Sequence, residues 1–199
     1  MKLVFLDRDG VINEFPGNGN YVTKVKDFRF IPGALEAIRW LTQDGYRIFV
    51  ISNQAGISKG VFTKDKLDRI TKKMLVEVEK KGGRIEKVFY AISRSTDNCE
   101  FRKPNIGAIR LVMRTLNKSI RSARHAFFIG DTEIDIQAGH NAGCKTIFVL
   151  SGREDQEYLR RKWKTQPDFI AKDLWEAAKV IHAVNSGQLQ VRHKKRKRS

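Results

Sequence analysis

The sequence predicts an α/β protein built on a doubly wound, Rossmann-like parallel sheet. Two observations carry this prediction. Short apolar runs alternate along the chain with longer amphipathic segments, and the runs are aliphatic or aromatic throughout instead of alternating with polar residues. Runs of that kind are typical of strands buried on both faces by covering helices. A chain of 199 residues suits a single domain of this type.

Five apolar runs bounded by charged or turn residues are predicted strands. In chain order they are Leu3–Leu6, Ile48–Ile51, Val88–Ile92, Ala126–Ile129 and Thr146–Leu150. Because helical patterns separate them, each strand should pair in parallel with a neighbour through a helical crossover.

Five segments have helical periodicity. They are Ala34–Thr42, Lys64–Lys81, Ile106–Asn117, Ile134–Asn141 and Leu174–Val184. Glycine marks several of their ends, with Gly82-Gly83 after the second and Gly143 after the fourth. The composition then becomes polar and basic, so we predict one domain over residues 1–184 and a basic, disordered tail over residues 185–199.

The bulk composition limits where the protein works. No apolar run approaches the ~20 residues that span a bilayer, and the start, MKLVFLDRDG, has too short an apolar run for a signal peptide. Cys99 and Cys144 are far apart and belong to no CxxC pair. We therefore expect a cytoplasmic protein with reduced thiols and no membrane segment.

Polar residues end several of the predicted strands. Asp7 and Asp9 follow the first strand, Ser52 the second and Asp131 the fourth. In an open α/β sheet, ligands bind beyond the carboxyl ends of the strands, so these side chains should share one crevice. Carboxylates clustered without histidine or thiolate suit Mg²⁺, which is usually bound together with a substrate phosphate.

Phosphoryl transfer gives these residues distinct roles. Asp7 is the candidate nucleophile, and Asp9 is the candidate general acid and then base. Ser52 and Asn53 are candidate phosphate binders, and Lys103 would supply positive charge. Taken singly, each could be an ordinary turn residue, cap or solvated charge. Their order along the chain favours a catalytic site.

Four segments resemble the motifs of haloacid dehalogenase (HAD) superfamily phosphatases, in particular the compact subgroup IIIA. They are FLDRDGVIN, ISNQAGISKG, FRKPNIG and FIGDTEIDIQAGHNAG, and the similarity covers about residues 1–150. The resemblance implies the HAD fold with no cap or a minimal one. The loop over residues 13–30 should then form one wall of the pocket.

The resemblance also implies roles for single residues. Asp7 would be the nucleophile, Asp9 the acid and base, and Ser52 and Lys103 the phosphate binders. The Mg²⁺ ligands would be Asp7, Asp131 and the backbone carbonyl of Asp9. Asp135 would lie behind them and orient Lys103 or a metal-bound water.

The chain departs from the subgroup at a zinc loop that many members carry. The four ligand positions correspond here to Ala91, Ser93, Cys99 and Phe101, so one ligand remains. A structural zinc site needs four ligands, and we expect none here. Arg102 could grip a second anionic group of the substrate or form a surface salt bridge, and the sequence does not decide between the two.

The sequence leaves three interpretations of the function open. The motifs favour a small sugar phosphate such as a heptose 1,7-bisphosphate. The net charge of +17 keeps a polynucleotide 3′-phosphatase open, with nucleic-acid contact through the basic tail. A non-catalytic phosphate-binding module is a third interpretation, which the intact set of acidic and basic residues disfavours.

Overall fold

The computed structural model describes residues 1–154 and 163–189. Its strands are β1 (Leu3–Leu6), β2 (Arg47–Asn53), β3 (Lys87–Ala91), β4 (Phe127–Gly130), β5 (Lys145–Val149) and β6 (Phe169–Ala171). Its α-helices are α1 (Ala34–Gln43), α2 (Lys64–Lys80), α3 (Gly107–Thr115), α4 (Glu133–Ala142) and α5 (Leu174–Asn185). Two 3₁₀ helices, Val25–Asp27 and Ile120–His125, complete the described elements.

The six strands form one parallel sheet in the spatial order β3-β2-β1-β4-β5-β6. The chain first winds outward from β1 to β3, then returns to β4 beside β1 and winds the other way. This reversal leaves a crevice at the carboxyl ends of β1 and β4, where ligands bind in folds of this class.

Both faces of the sheet are covered, because successive strand residues point to opposite sides. In β1, Val4 and Leu6 face a core shared with α1, α2 and α5, whereas Leu3 and Phe5 face a second core shared with α3 and α4. The Phe5 ring lies 6.0 Å from that of Phe49 and 6.2 Å from that of Phe128. The predicted doubly wound fold is confirmed.

The predicted strands and helices all occur, with ends shifted by up to two residues. The prediction missed β6 and the two 3₁₀ helices. Strand β6 has three residues and a half-exposed pattern, which is too short to give a periodic signal.

Helix α5 lies at the end of the predicted domain. It ends at Asn185, close to the predicted boundary. Most of the predicted basic tail, residues 190–199, lies outside the described residues, so its disorder stays a prediction. No helix among the described residues is long and apolar enough to cross a membrane.

Candidate active site

The polar residues at the strand ends converge on one pocket. Asp7 directly follows β1, Ser52 and Asn53 end β2, and Asp131 follows β4. With Lys103, from the loop before α3, they line a cavity of about 290 Å³. The chain turns sharply after β1 at Gly10, whose φ of +82° suits glycine, and a Cβ there would lie 2.3 Å from an Asp131 oxygen.

Three carboxylates form the acidic centre of this pocket. Single oxygens of Asp7, Asp131 and Asp135 lie within 4.8 Å of one another. Their residues are 8%, 2% and 1% exposed. One lysine does not balance three buried carboxylates, and a hard divalent cation bound by oxygen would. The donor set therefore fits Mg²⁺.

Lys103 is the counter-charge inside this centre. Its Nζ lies 2.8 Å from Oδ1 of Asp7 and 2.6 Å from Oδ1 of Asp135. Burial would lower the pKa of Lys103, but the two carboxylates outweigh burial and hold this pKa above its ordinary value. The ammonium group therefore stays charged beside the candidate nucleophile.

Asp135 also belongs to the start of α4. Its Oδ2 accepts hydrogen bonds from the hydroxyl of Thr132 at 2.6 Å and from the Thr132 N–H at 3.1 Å. The bond from the Thr132 N–H is the Asp135 half of a capping box at the helix N-terminus. The cap fixes the carboxylate that holds Lys103.

Burial and mutual repulsion disfavour the ionised forms of the carboxylates in the acidic centre. Burial, opposed by Lys103, raises the pKa of Asp7 from 3.8 to about 6. Burial and the nearby charges of Asp135 and Asp7 raise the pKa of Asp131 well above its usual range. Because the ionised forms are disfavoured in the folded state, the site costs stability at neutral pH until a cation relieves it.

We expect Asp7→Asn to stabilise the metal-free protein at pH 7.5. The raised folded pKa of Asp7 means that its contribution is favourable below about pH 4 and is lost as the pH rises through about 6. A difference of about two pKa units corresponds to at most about 3 kcal/mol. Urea unfolding in a chelator at pH 7.5 and at pH 4.5 measures the difference, which should shrink at the lower pH.

An exposed aspartate provides the control for this prediction. Asp68 is on α2 and pairs with Lys64 in solvent, so Asp68→Asn should change stability little at either pH. Added Mg²⁺ should stabilise the native protein more than it stabilises the Asp7→Asn variant. A pH-independent loss of stability in Asp7→Asn would contradict the prediction.

The Asp9 carboxylate accepts hydrogen bonds from three side chains, and these bonds were not predicted from the sequence. The buried guanidinium of Arg8 donates to both Asp9 oxygens, with Nη2 at 2.9 Å from each. Asn13 Nδ2 donates to Oδ1 at 2.9 Å, and Gln54 Nε2 donates to Oδ2 at 2.7 Å. These bonds fix the carboxylate at the pocket. Arg8 lies between two aspartates in the first motif, and Gln54 lies in the second. The sequence did not show that their side chains point toward Asp9.

The two polar residues at the end of β2 have different partners. Ser52 is 2% exposed, and its Oγ accepts a hydrogen bond from Gln54 at 3.2 Å while lining the pocket. Asn53 was predicted to bind phosphate, yet its amide forms two bonds with the backbone of Lys103. Nδ2 donates to the carbonyl at 3.1 Å, and Oδ1 accepts from the N–H at 3.0 Å. These contacts indicate that Asn53 positions the Lys103 loop.

The loop over residues 13–30 forms one wall of the pocket, as predicted. Hydrogen bonds close its base, where Glu14 N donates to Arg29 O at 2.9 Å. Its Phe15 and Tyr21 line the cavity, and the Tyr21 ring lies 5.7 Å from that of Phe62. The wall is therefore anchored to residues that follow β2.

Arg102 also lines the pocket, and its Nη1 donates to the carbonyl of Ser93 at 2.9 Å. That bond anchors the segment in which many subgroup members carry zinc ligands. Hydrogen bonding to Ser93 lowers the pKa of the Cys99 thiol, and Phe101 packs against the core between the sheet and α3. The expectation of no structural zinc stays a prediction.

The loop after β5 contributes contacts that the sequence did not suggest. Ser151 Oγ donates to the carbonyl of Gly10 at 2.8 Å, and the Arg153 N–H donates to Asp131 Oδ2 at 2.7 Å. The Arg153 side chain reaches across to Asn18 Oδ1 at 3.0 Å. This loop holds Asp131 and joins the opposite wall of the pocket.

We expect Gly152→Ala to weaken metal binding. An added Cβ would lie 2.1 Å from Asp131 Oδ2, so the carboxylate must move. The Mg²⁺ concentration for half-maximal activity should rise about 10-fold or more, the scale seen when groups that support metal ligands are altered. The neighbouring Ser151→Ala adds no atom and loses only the bond to Gly10, so it should raise this concentration much less. Equal effects of both substitutions would contradict the prediction.

Comparisons with known proteins agree with this geometry. A family model described as HAD-hydrolase-like matches residues 100–177. The D-glycero-beta-D-manno-heptose-1,7-bisphosphate 7-phosphatase of Neisseria meningitidis is 35% identical over 153 residues, which are 77% of this chain and 79% of the relative. The D-glycero-alpha-D-manno-heptose-1,7-bisphosphate 7-phosphatase of Campylobacter jejuni is 30% identical over 169 residues, 85% and 94% of the two chains.

A solved structure is similar over the whole fold. The D,D-heptose 1,7-bisphosphate phosphatase of B. bronchiseptica, crystallised with magnesium and phosphate, has a TM-score of 0.82 and 28% identity, covering 92% of this chain and 98% of that one. The parallel sheet and the acidic centre thus define a HAD-like hydrolase. This chain belongs to the HAD-like phosphatases, the family that contains these heptose bisphosphate phosphatases. It is a phosphoric monoester hydrolase, and its family acts through an aspartyl-phosphate intermediate and uses Mg²⁺.

Proposed function

We propose that this enzyme removes one phosphate from a heptose 1,7-bisphosphate or a closely related sugar phosphate, with Asp7 as the nucleophile. The observation that carries the chemistry is the Lys103 ammonium group held between Asp7 and Asp135 at the crevice. The relatives named above act on heptose bisphosphates, and they support the sugar over a polynucleotide. No comparison supports nucleic-acid contact through the tail. The cytoplasmic location stays a prediction.

The proposed reaction has two balanced steps. An Asp7 oxygen attacks the phosphorus and forms an O–P bond while the bond to the sugar oxygen breaks and Asp9 gives that oxygen a proton. A water then attacks the phosphorus, Asp9 takes its proton, and phosphate leaves as the Asp7 carboxylate is restored. Lys103 and Ser52 stabilise the phosphoryl oxygens in both steps.

Asp7, Asp131 and the backbone carbonyl of Asp9 are the proposed Mg²⁺ ligands. The bound ion would neutralise charge on the phosphoryl group as that group is transferred. Asp135 holds Lys103 from behind and keeps it directed at Asp7. Thr132 fixes Asp135 in turn, and so α4 supports the proposed site through its cap.

We propose that Arg102 binds the second phosphate. Its guanidinium group lines the cavity and uses Nη1 on Ser93, which leaves further donors for an anion. Arg102→Gln should lower kcat/KM for the bisphosphate about 10-fold or more and leave the sugar 7-phosphate nearly unchanged, because charged hydrogen bonds are worth about 1.5–3 kcal/mol.

Arg94 offers a matched control. Its guanidinium donates to the carbonyl of Ser58 at 3.1 Å, and Arg94 is not among the residues that line the cavity. Arg94→Gln should leave the ratio of bisphosphate to monophosphate activity unchanged. If both substitutions changed this ratio equally, Arg102 would have no special role.

A substrate panel tests the function itself. It should contain both anomers of heptose 1,7-bisphosphate, the heptose monophosphates, histidinol phosphate and a 3′-phosphorylated oligonucleotide. The highest kcat/KM for one heptose bisphosphate would support the proposal. A higher value for the oligonucleotide, falling steeply with salt, would replace it with the nucleic-acid alternative.

A further inference from the structure

A long segment of the chain contains no acidic residue. Between Glu100 and Asp131 there is no Asp or Glu. The cations in this segment are Arg102, Lys103, Arg110, Arg114, Lys118, Arg121 and Arg124. The first two line the catalytic pocket. The other five have no part in the proposed chemistry.

Those five residues lie on α3 and on the elements that follow it, and we name them the α3 basic face: Arg110, Arg114, Lys118, Arg121 and Arg124. All five are exposed. The opposite side of α3 is buried in the core, and the 3₁₀ helix Ile120–His125 packs beside α3. Five exposed cations therefore lie on two adjacent elements and the connection between them.

The α3 basic face differs from other charged helices of this protein. On α2, Lys64 pairs with Asp68, Arg69 with Asp65 and Lys80 with Glu77. Among residues 1–154 and 163–189, no salt bridge involves a cation of the α3 basic face. Arg110 and Arg114, four apart on a helix, repel each other. An anionic partner would relieve this repulsion.

The surface at this face is concave. Arg110, Arg114 and Lys118 border a depression of about 430 Å³. Its lining also includes Met113, Ile120 and one carboxylate, Glu100, so the cations outnumber the acid there. No residue lines both this depression and the catalytic cavity. The two sites are therefore distinct.

We propose that the α3 basic face binds the sugar-phosphate backbone of duplex nucleic acid without reading its sequence. The five charges extend over a helix, its connection and a 3₁₀ helix, which is more than one small anion can contact. No Phe, Tyr or Trp occurs between Phe101 and Phe127, so this segment offers no ring for the base stacking that single-strand binding uses.

The lack of large exposed apolar side chains in this segment argues against a membrane as the partner. The large apolar residues that are exposed among the described residues lie outside the segment between Glu100 and Asp131. Binding to a bilayer surface normally adds insertion of such side chains to the attraction between charges. Contact with a phosphodiester backbone needs charge alone and depends strongly on salt.

The test compares two variants of the full chain that lose the same charge. The first carries Arg114→Gln, Lys118→Gln and Arg121→Gln on the α3 basic face. The control carries Lys66→Gln, Arg69→Gln and Lys80→Gln on α2. Fluorescence anisotropy with a labelled duplex of about 20 base pairs, long enough for several phosphate contacts, gives the affinity and its salt slope at several salt concentrations.

The variant of the α3 basic face should bind the duplex at least about 10-fold more weakly, and its salt slope should fall by roughly 2 to 3, as three lost phosphate contacts require. The control should stay within about 3-fold of the native protein, since its cations make none of those contacts. A charge-preserving variant, Arg114→Lys with Arg121→Lys, should bind like the native protein. Unchanged phosphate release from a small substrate in every variant would show that the fold is intact.

Several results would overturn the proposal. They are undetectable duplex binding by the native protein, equal weakening in both neutralised variants, and tighter binding to a single strand or to anionic phospholipid vesicles than to the duplex. None of these results would bear on the proposed sugar phosphatase activity, which is measured separately on small substrates.

Discussion

Asp7→Asn should abolish turnover. The amide cannot attack phosphorus, so kcat should fall by at least about 10⁴-fold, the scale measured when a covalent nucleophile is removed. The substitution preserves size, and Ser52 and Lys103 remain in place to hold the phosphate. Steady-state phosphate release with Mg²⁺ measures the loss.

Substrate binding separates this chemical loss from a structural one. Asp7→Asn should still bind the sugar phosphate, as isothermal titration calorimetry would show, while the exposed control Asp68→Asn should turn over normally. Activity of Asp7→Asn within about 10-fold of the native enzyme would rule out Asp7 as the nucleophile.

Asp9→Asn should have the second largest effect, through two separable causes. Loss of the general acid and base should lower kcat by about 10²–10⁴-fold. Because Arg8 is fully buried and its ion pair is with Asp9, the substitution should also destabilise the protein by about 3 kcal/mol, as breaking a buried pair does. Phosphate release and urea unfolding measure the two effects.

A double variant distinguishes these causes. Arg8→Met with Asp9→Asn removes both charges of the pair, so it should recover much of the stability. Its activity should stay as low as that of Asp9→Asn. If activity returned together with stability, Asp9 would serve only to neutralise the buried charge of Arg8 and would not transfer protons.

The parallel sheet could be predicted because its strands leave a strong signal. A strand buried on both faces is a continuous apolar run, and β1, β2 and β4 end at polar residues that a doubly wound sheet brings to one edge. This is why the sequence alone predicts that Asp7, Ser52 and Asp131 lie together. Strand β6 gave no such signal because it is short and lies at the sheet edge.

The support around the site could not be predicted, because it depends on side-chain direction. Nothing in the sequence shows that Arg8 turns toward Asp9, or that both ends of the Asn53 amide bond to the Lys103 backbone. The contact between Arg153 and Asp131 joins residues 22 positions apart, with α4 and β5 between them. Such contacts can be identified only when the three-dimensional fold is known. Sequence order nevertheless located the groups proposed to react.

The acidic centre also shows how function is set against stability. Asp7, Asp131 and Asp135 lie closer together than their charges favour, and Lys103 compensates only part of the repulsion. A site that binds a cation and a phosphate needs this uncompensated charge. Packing around α4 and the loop after β5 keeps the carboxylates together in the metal-free protein.

The most direct test of Asp7 as the nucleophile is a rapid-quench experiment under single-turnover conditions, with substrate labelled on the phosphate that leaves. We predict a transient protein-bound phosphate that is released by hydroxylamine, maps to the peptide containing Asp7, and is absent from Asp7→Asn. Full turnover with no protein-bound phosphate at any time, or label on a different residue, would contradict this mechanism.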